Sequence, residues 1–469
     1  MSTRKLNGLI AVTMLAVACT MGANQGQTPT TDHFAPTPTI GDPITTTSIR
    51  APRTTPPDVE KALLLKVDRF LTPEPGYPGI PMGDWWYGDT SPDHRWLLAQ
   101  VGHDNGSGEI RLVDVLNWRT VGSWPEGWTQ GQAVTDDGIG YLVVGVADVP
   151  GADTPSPRLL RVRPGREDPE GVAELPQGFS TWGQVHVDAA GRVLILGFTS
   201  LDPELGGGPA TLVIFEPGTG SLSEIPLPST QVGTVERIDI GEDYGGYVDV
   251  VPGVVWDDHR SRVLVANSDS LNITVIDTET GQVQDHSFTV PGWSEERPSG
   301  GATSSVAFSP DGTRLFISRT ESSYEVEETS WSRSTISKGV AVIDTESWTV
   351  TNQTDAAIGW IVLSPDGSHL LGSSYQTVES DSGYSSTAQP TLDLDPETLD
   401  MQFQLEPPNE GDFSGISSFD RSSTIGYVSW WDSIQHVNAI QLETGLIMTS
   451  REGNQVLVLG EAGLMGISR

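Results

Sequence analysis

The sequence predicts an all-β fold: a single β-propeller of eight four-stranded blades, seven being the alternative count, with strands from the two chain ends sharing one blade and closing the ring. Three observations predict it. From about residue 60 onward, short runs rich in Val, Ile, Leu, Phe and Trp alternate with turn residues, and no long stretch carries a helical period. One unit recurs: Ser305-Val306-Ala307-Phe308, the turn Ser309-Pro310-Asp311-Gly312, then Arg314-Leu315-Phe316-Ile317-Ser318, and later Val340-Ala341-Val342-Ile343-Asp344 before a second turn. Corners of these two kinds are spread over the whole body.

Taken from the N-terminus, the first element is a leader. Arg4 and Lys5 precede an apolar run at 6–17 that is too short to span a bilayer, and the run ends in Leu15-Ala16-Val17-Ala18-Cys19. Residues 1–18 resemble a bacterial lipoprotein signal peptide. The resemblance implies cleavage before Cys19, acylation of Cys19 with palmitate-type chains, and a place on the extracytoplasmic side of a cell membrane; an ordinary secreted protein is the alternative. Cys19 is the one cysteine of the chain, so its acylation leaves no thiol for a disulfide.

Residues 19–58 form the second element, a Thr- and Pro-rich stretch with few apolar side chains. Such a composition cannot bury a core, and the segment is expected to be a disordered tether. In polyproline form, at about 3 Å per residue, it reaches on the order of 100 Å.

Residues 59–469 are expected to form the propeller. Pro presets φ at the first corner of a turn, Asp bonds its local backbone, and Gly accepts the left-handed conformation. The a-b corners fall at Ser91-Pro92-Asp93, Thr135-Asp136-Asp137-Gly138, Asp188-Ala189-Ala190-Gly191, Asp257-Asp258-His259, Ser309-Pro310-Asp311, Ser364-Pro365-Asp366, Asp420-Arg421-Ser422 and Gly460-Glu461-Ala462-Gly463. The c-d corners fall near Asp114, Pro164, Glu216, Asp277, Asp344, Asp395 and Glu443. The c-d partner of the last blade is expected at the other end of the chain, with residues 62–72 pairing with residues 455–468.

The run from Ser305 to Ser318, followed by Val340-Ala341-Val342-Ile343-Asp344-Thr345, resembles the repeats of the YVTN and WD40-like (TolB-type) β-propellers. The resemblance covers nearly all of residues 60–469 and is strongest around 263, 309 and 364. It implies fold rather than activity. Quinoprotein-type repeats would place a tryptophan soon after Gly281 and Gly445; none stands there, which speaks against a pyrroloquinoline cofactor.

In an up-and-down blade the a-b and c-d turns share one end, and the b-c and d-a connections share the other. The second end carries the long irregular loops, at 145–157, 197–209, 319–338 and 373–390, where function is expected. Trp86, Trp128, Trp182, Tyr247, Trp360 and Phe413 occur at comparable d-a positions, with Gln132 and Gln184 close to two of them. Aromatic rings flanked by amides suit a ligand-gripping face at the channel mouth, and they suit wedging of adjacent blades equally well.

The chain carries 62 acidic and 26 basic residues, a net charge of −36 that becomes −38 once residues 1–18 are removed with Arg4 and Lys5. This excludes a basic nucleic-acid-binding patch, and any membrane contact is expected through the lipid alone. The chain is expected to be monomeric.

No nucleophile elbow, zinc-protease motif, Cys-x-x-Cys or phosphate loop is present. Histidines 94, 259 and 369 lie at or beside turns and read as solvated turn residues, leaving His103, His186 and His436 as candidates for the loop face or channel. No cofactor is expected beyond a weak calcium candidate at Asp104, Asn105 and Glu109, which lack EF-hand spacing. The sequence therefore points to a scaffold that binds protein or glycan through its loop face; the alternative is an enzyme resembling lactonase-like or lyase-like propellers.

Overall fold

The computed structural model describes residues 85–92, 95–102, 108–114, 117, 119–125, 129–145, 156–199, 205–239, 245–326, 330–380, 383–407, 413–419, 423–431, 435–453, 455–458 and 464–467. Within them the chain is a β-propeller.

Blade 1 comprises β1 (Trp85–Thr90), β2 (Trp96–Gly102), β3 (Gly108–Asp114) and β4 (Arg119–Trp124). Blade 2 comprises β5 (Thr129–Val134), β6 (Gly140–Val144), β7 (Arg158–Val162) and β8 (Glu170–Glu174). Blade 3 is β9 (Phe179–Val187), β10 (Val193–Thr199), β11 (Gly207–Glu216) and β12 (Ser221–Asp239), after which β13 (Gly245–Val251) leads to blade 4. Blade 4 is β14 (Gly253–Asp257), β15 (Arg262–Ala266), β16 (Asn272–Asp277) and β17 (Val283–Ser287). Blade 5 is β18 (Gly301–Phe308), β19 (Arg314–Val326), β20 (Trp331–Asp344) and β21 (Thr349–Thr354). Blade 6 is β22 (Trp360–Leu363), β23 (Leu370–Ser373), then a hairpin insertion of β24 (Tyr375–Ser380) and β25 (Gly383–Ala388), then β26 (Thr391–Leu394) and β27 (Met401–Leu405). Blade 7 is β28 (Phe413–Phe419), β29 (Ile425–Trp431), β30 (Gln435–Gln441) and β31 (Leu446–Gly453). A two-stranded sheet follows, β32 (Gln455–Val458) with β33 (Leu464–Ile467). Strand β32 packs beside both β28 and β1, so it occupies the inner position between blade 7 and blade 1. Its expected outer strands, at 62–72, lie outside the described residues, as do the leader, Cys19 and the tether.

Every a-b corner and all seven c-d corners read from the sequence fall between paired strands. The chemistry is local. In the turn after β18, the Gly312 N–H donates to Ser309 O at 2.8 Å, while Asp311 Oδ1 accepts from Ser309 Oγ at 2.6 Å and Thr313 N at 3.0 Å. At the c-d corner, Asp277 Oδ1 accepts the N–H groups of Glu279 and Thr280, and Asp344 and Asp395 repeat the pattern. The corner then turns left-handed: Gly281 has φ 72°, and the equivalent positions are Trp348 at 57° and Leu399 at 59°. Those two side chains are held by packing. Trp348 stacks on His286 with centroids 4.3 Å apart, and Leu399 is buried in the seam between blades 5 and 6.

The core is distributed over the seams. Leu98, Ile110 and Trp124 of blade 1 meet Leu142 and Val162 of blade 2; Leu264 and Ile273 of blade 4 meet Leu315 and Ile343 of blade 5. Strands covered on both faces are the fully apolar ones, such as β6, where every residue is buried.

At the b-c and d-a end, two of the expected long loops, 319–338 and 373–390, are largely strands, whereas residues 146–155 and 200–204 of the other two lie outside the described residues. β12 runs past the blade and hairpins into β13, β13 pairs in parallel with β18, and β19 and β20 extend together beyond the blade. The inserted β24 pairs with residues 332–335 of β20. The result is one continuous sheet, β25-β24-β20-β19-β18-β13-β12, built from blades 3, 5 and 6 and forming a cap. Gly301, at φ 92°, permits the parallel junction, because a Cβ there would run into the Asp249 carbonyl.

Candidate functional site

Strand alternation divides the cap into two faces. Register pairs Arg333 with Tyr324 and Glu379, and Trp331 with Val326, so these residues share one face. On it, the Arg333 guanidinium lies 5.5 Å from the Tyr324 ring centroid, and Trp331 is 6.4 Å from the same ring. Arg333 Nη2 donates to Asp249 Oδ2 at 3.2 Å and to Gly300 O at 3.1 Å. The Tyr247 N–H donates to Tyr324 Oη at 3.2 Å, which requires the close approach that Gly246 allows. Burial pushes the Tyr324 phenol upward, against the lowering effect of Arg333. The opposite face carries Ile336 and Val378 on neighbouring strands.

Exposed large apolar side chains concentrate here. Tyr247, Val326 at 51% exposure, Ile336 at 50% and Val378 all lie on the cap, whereas the exposed Val283, Met401 and Ile447 stand singly on the outermost strands β17, β27 and β31.

The residues singled out from the sequence are distributed as follows. Tyr247 is on β13 and exposed; Trp360, at the start of β22, is half-buried and stacks on Tyr375 of the inserted hairpin with centroids 4.9 Å apart. Gln184 is half-buried on β9. Trp86, Trp182 and Phe413 lie on the innermost strands β1, β9 and β28. Trp128, His103, Asp104 and Asn105 lie outside the described residues. Glu109 is on strand β3, where Arg111 and Ser123 engage its carboxylate.

Gln132 is 1% exposed, and its Nε2 donates to Leu98 O at 2.7 Å, so this side chain pins the seam between blades 1 and 2 rather than the rim. Gln130 and Gln100 do the same work, accepting Thr181 N and Thr129 N across seams. The sequence reading passed over Asp89. It lies on β1, bonds Gln132, and reaches solvent while surrounded by protein; lost hydration raises its carboxyl to about 7.

His186 lies with Nε2 at 2.9 and 3.1 Å from the Asp258 carboxylate oxygens and stacks on Trp256, tying blade 3 to blade 4. His369 corrects an expectation. It is not a solvated turn residue: its Nδ1 is 2.7 Å from Oδ2 of the fully buried Asp393. His259, by contrast, is exposed at its turn as expected.

A cleft of about 500 Å³ opens at the regular end, lined by Asp188, Arg192, Glu216, Asp258, Arg262 and Glu279 among others. Its polar groups are engaged within the protein: Arg192 with Asp188 and Thr278, Arg262 with Asp257, Asp258 with His186, and Glu279 with Ser261. Among the described residues no group of three or more His, Cys, Asp and Glu side chains is placed to hold a metal, and no helix is long and apolar enough to cross a membrane.

These features define a β-propeller with a sheet cap on its b-c and d-a end. In arrangement it is similar to the dihydro-heme d1 dehydrogenase NirN in complex with DHE, at 14% identity over 81% of each chain and a TM-score of 0.38. It is also similar to the computationally designed Ika8 protein, at 11% identity over 78% of this chain and 85% of that one, with a TM-score of 0.41. Both are likenesses of fold alone. No family model matches the sequence, and no curated protein matches it.

Proposed function

We propose that the chain is a lipid-anchored extracytoplasmic binding protein that presents its sheet cap to a protein partner. The observation that carries this reading is the gathering of Tyr247, Val326, Ile336 and Val378 in solvent on one sheet that also holds Tyr324, Trp331 and Arg333. Isolated exposed apolar residues mean little, but here both faces of one small sheet carry them: Val326 stands with Tyr324, Trp331 and Arg333, residue types favoured in interface cores, and Ile336 and Val378 form a bare apolar pair on the opposite face. The N-terminal features supply the setting. Cys19 after an apolar leader supports anchoring, and the Thr/Pro stretch supports display away from the membrane.

The test is capture from envelope extracts by the whole chain, set beside the double variant Ile336→Asp, Val378→Asp. Both positions are exposed, so the variant is expected to fold and to lose the partner. Retained capture by the folded variant, capture of glycan alone, or turnover of a small molecule would overturn the proposal. Incorporation of a palmitate analogue, lost in Cys19→Ser, tests the anchor separately.

A further inference from the structure

The seam between blades 4 and 5, at the cap end, holds a buried cation that the protein does not fully satisfy. Arg319 of β19 is 1% exposed, and its Nε donates to Glu321 Oε1 at 2.9 Å. Its Nη1 and Nη2 meet no acceptor within the protein. Glu321 is shared among several donors. It accepts Ser294 N at 2.9 Å and Ser294 Oγ at 2.8 Å, and Lys338 Nζ lies 3.4 Å away. One carboxylate thus serves two cations. Asp269 acts on Arg319 only through its charge, and burial shifts that carboxyl toward its neutral form. Hydroxyls complete the surroundings: Ser304 faces Arg319 directly across the β18–β19 pair, and its Oγ accepts from Ser268 Oγ at 3.2 Å.

We infer that the two free Nη groups of Arg319 form a site for a small monovalent oxyanion of the carboxylate class. The guanidinium fork presents parallel donors at the spacing of two carboxylate oxygens, and such bidentate bonds are strongest where water is excluded. Charge favours a small anion, because Arg319 and Lys338 share the one carboxylate of Glu321 and the Nη groups of Arg319 are left without an acceptor. Burial selects a free small anion over an acidic side chain of a partner. The connection at 288–300 is fastened beside the site, with Ser294 bonding Glu321 and Trp293 Nε1 donating to Lys338 O at 2.9 Å. This inference stands apart from the cap proposal, which uses neither Arg319 nor Glu321.

The probe is sodium formate, titrated against the whole chain at constant ionic strength and followed by melting temperature and tryptophan fluorescence. A saturable rise in melting temperature is expected, together with a fluorescence change that Trp293→Phe removes. Arg319→Met should abolish the saturable response. Arg319→Lys keeps the charge without the fork and should weaken it at least tenfold, which serves if the Met variant does not fold. No saturable response in the wild type, an equal response in Arg319→Lys, or displacement of formate by an acidic peptide would each overturn the inference.

Discussion

His369→Phe removes the one side chain that, among the described residues, hydrogen-bonds a carboxyl with no solvent. Asp393 is 0% exposed, its Oδ2 lies 2.7 Å from His369 Nδ1, and its Oδ1 meets no protein donor. Burial raises this carboxyl from 3.8 to about 6 despite the lowering effect of His369. That rise amounts to on the order of 3 kcal/mol against the ionised form. Without the imidazole the penalty grows, and near neutral pH the variant should lose about 3–5 kcal/mol, as when one member of a buried pair is deleted. The double variant His369→Phe, Asp393→Leu removes the buried charge along with its partner and should recover most of that loss. The pH dependence has a definite sign. Burial is the largest single influence and acts to lower His369, but the bond to Asp393 together with the charges of Asp393, Asp366 and Asp395 outweighs it and the net is upward. Both groups therefore hold their protons more tightly when folded, so their contribution is present below the unfolded values of 3.8 and 6.5 and is lost as pH rises through the folded ones. Urea midpoints read by fluorescence and circular dichroism, with m-values compared, provide the assay. The reasoning is refuted if His369→Phe unfolds at the wild-type midpoint, or if the double variant is no more stable than the single.

Gly281→Ala should cost about 1–2 kcal/mol, since φ is 72° and a Cβ finds ordinary room beside Ile225; Gly301→Ala should cost more because of the Asp249 carbonyl, and calorimetry of the two variants ranks them. Hydrogen bonds from Ser309 and Thr313 hold Asp311 down to about 2, so its contribution is present above 3.8 and lost as pH falls through about 2; Asp311→Asn should flatten the acid limb of the stability curve. Arg192 donates to Thr278 O and Oγ1 at 2.8 Å each and to Asp188 at 2.7 Å. Arg192→Met should cost about 3 kcal/mol, as loss of one member of a mostly buried pair, and should raise hydrogen exchange in blades 3 and 4 before the other blades.

The regular end of the fold was legible because its information is local. A Ser-Pro-Asp-Gly turn is closed by atoms within five residues, as Ser309, Asp311 and Gly312 demonstrate, so a single chain segment reveals it. Trp348 and Leu399 show the limit of that reading: they occupy the left-handed corner where glycine would be expected, and only packing from neighbouring elements explains them. The cap was not legible. Runs such as Ser332-Arg333-Ser334-Thr335 carry no hydrophobic alternation, and they become strands by pairing with an insertion more than forty residues away. His369 was misread for the same reason, since its partner Asp393 lies on another strand. Gln132 reads from the sequence as part of a ligand-gripping face, and Gln100 carries no signal there, because the seam that both pin joins two blades and is not encoded in neighbouring sequence.

The contrast between the two ends also bears on where binding resides. At the regular end the polar side chains are consumed by the turns: Asp277, Asp344 and Asp395 each accept two backbone N–H groups, and the charged groups of the adjoining cleft are paired with one another. A surface already satisfied has little to offer a ligand. At the cap end the strands outrun the blades, and the part of the sheet formed by the ends of β19 and β20 with the inserted β24 and β25 carries exposed apolar side chains at Val326, Ile336 and Val378. Its aromatic face is partly sheltered, yet Ile336 and Val378 on the other face remain in water on a protein of net charge −36, which has acidic residues in abundance for such positions. Apolar side chains retained at that place gain burial only when something else covers them, and the free energy available from doing so, about 25 cal/mol per Å² of apolar surface, is what a partner of the cap would draw on.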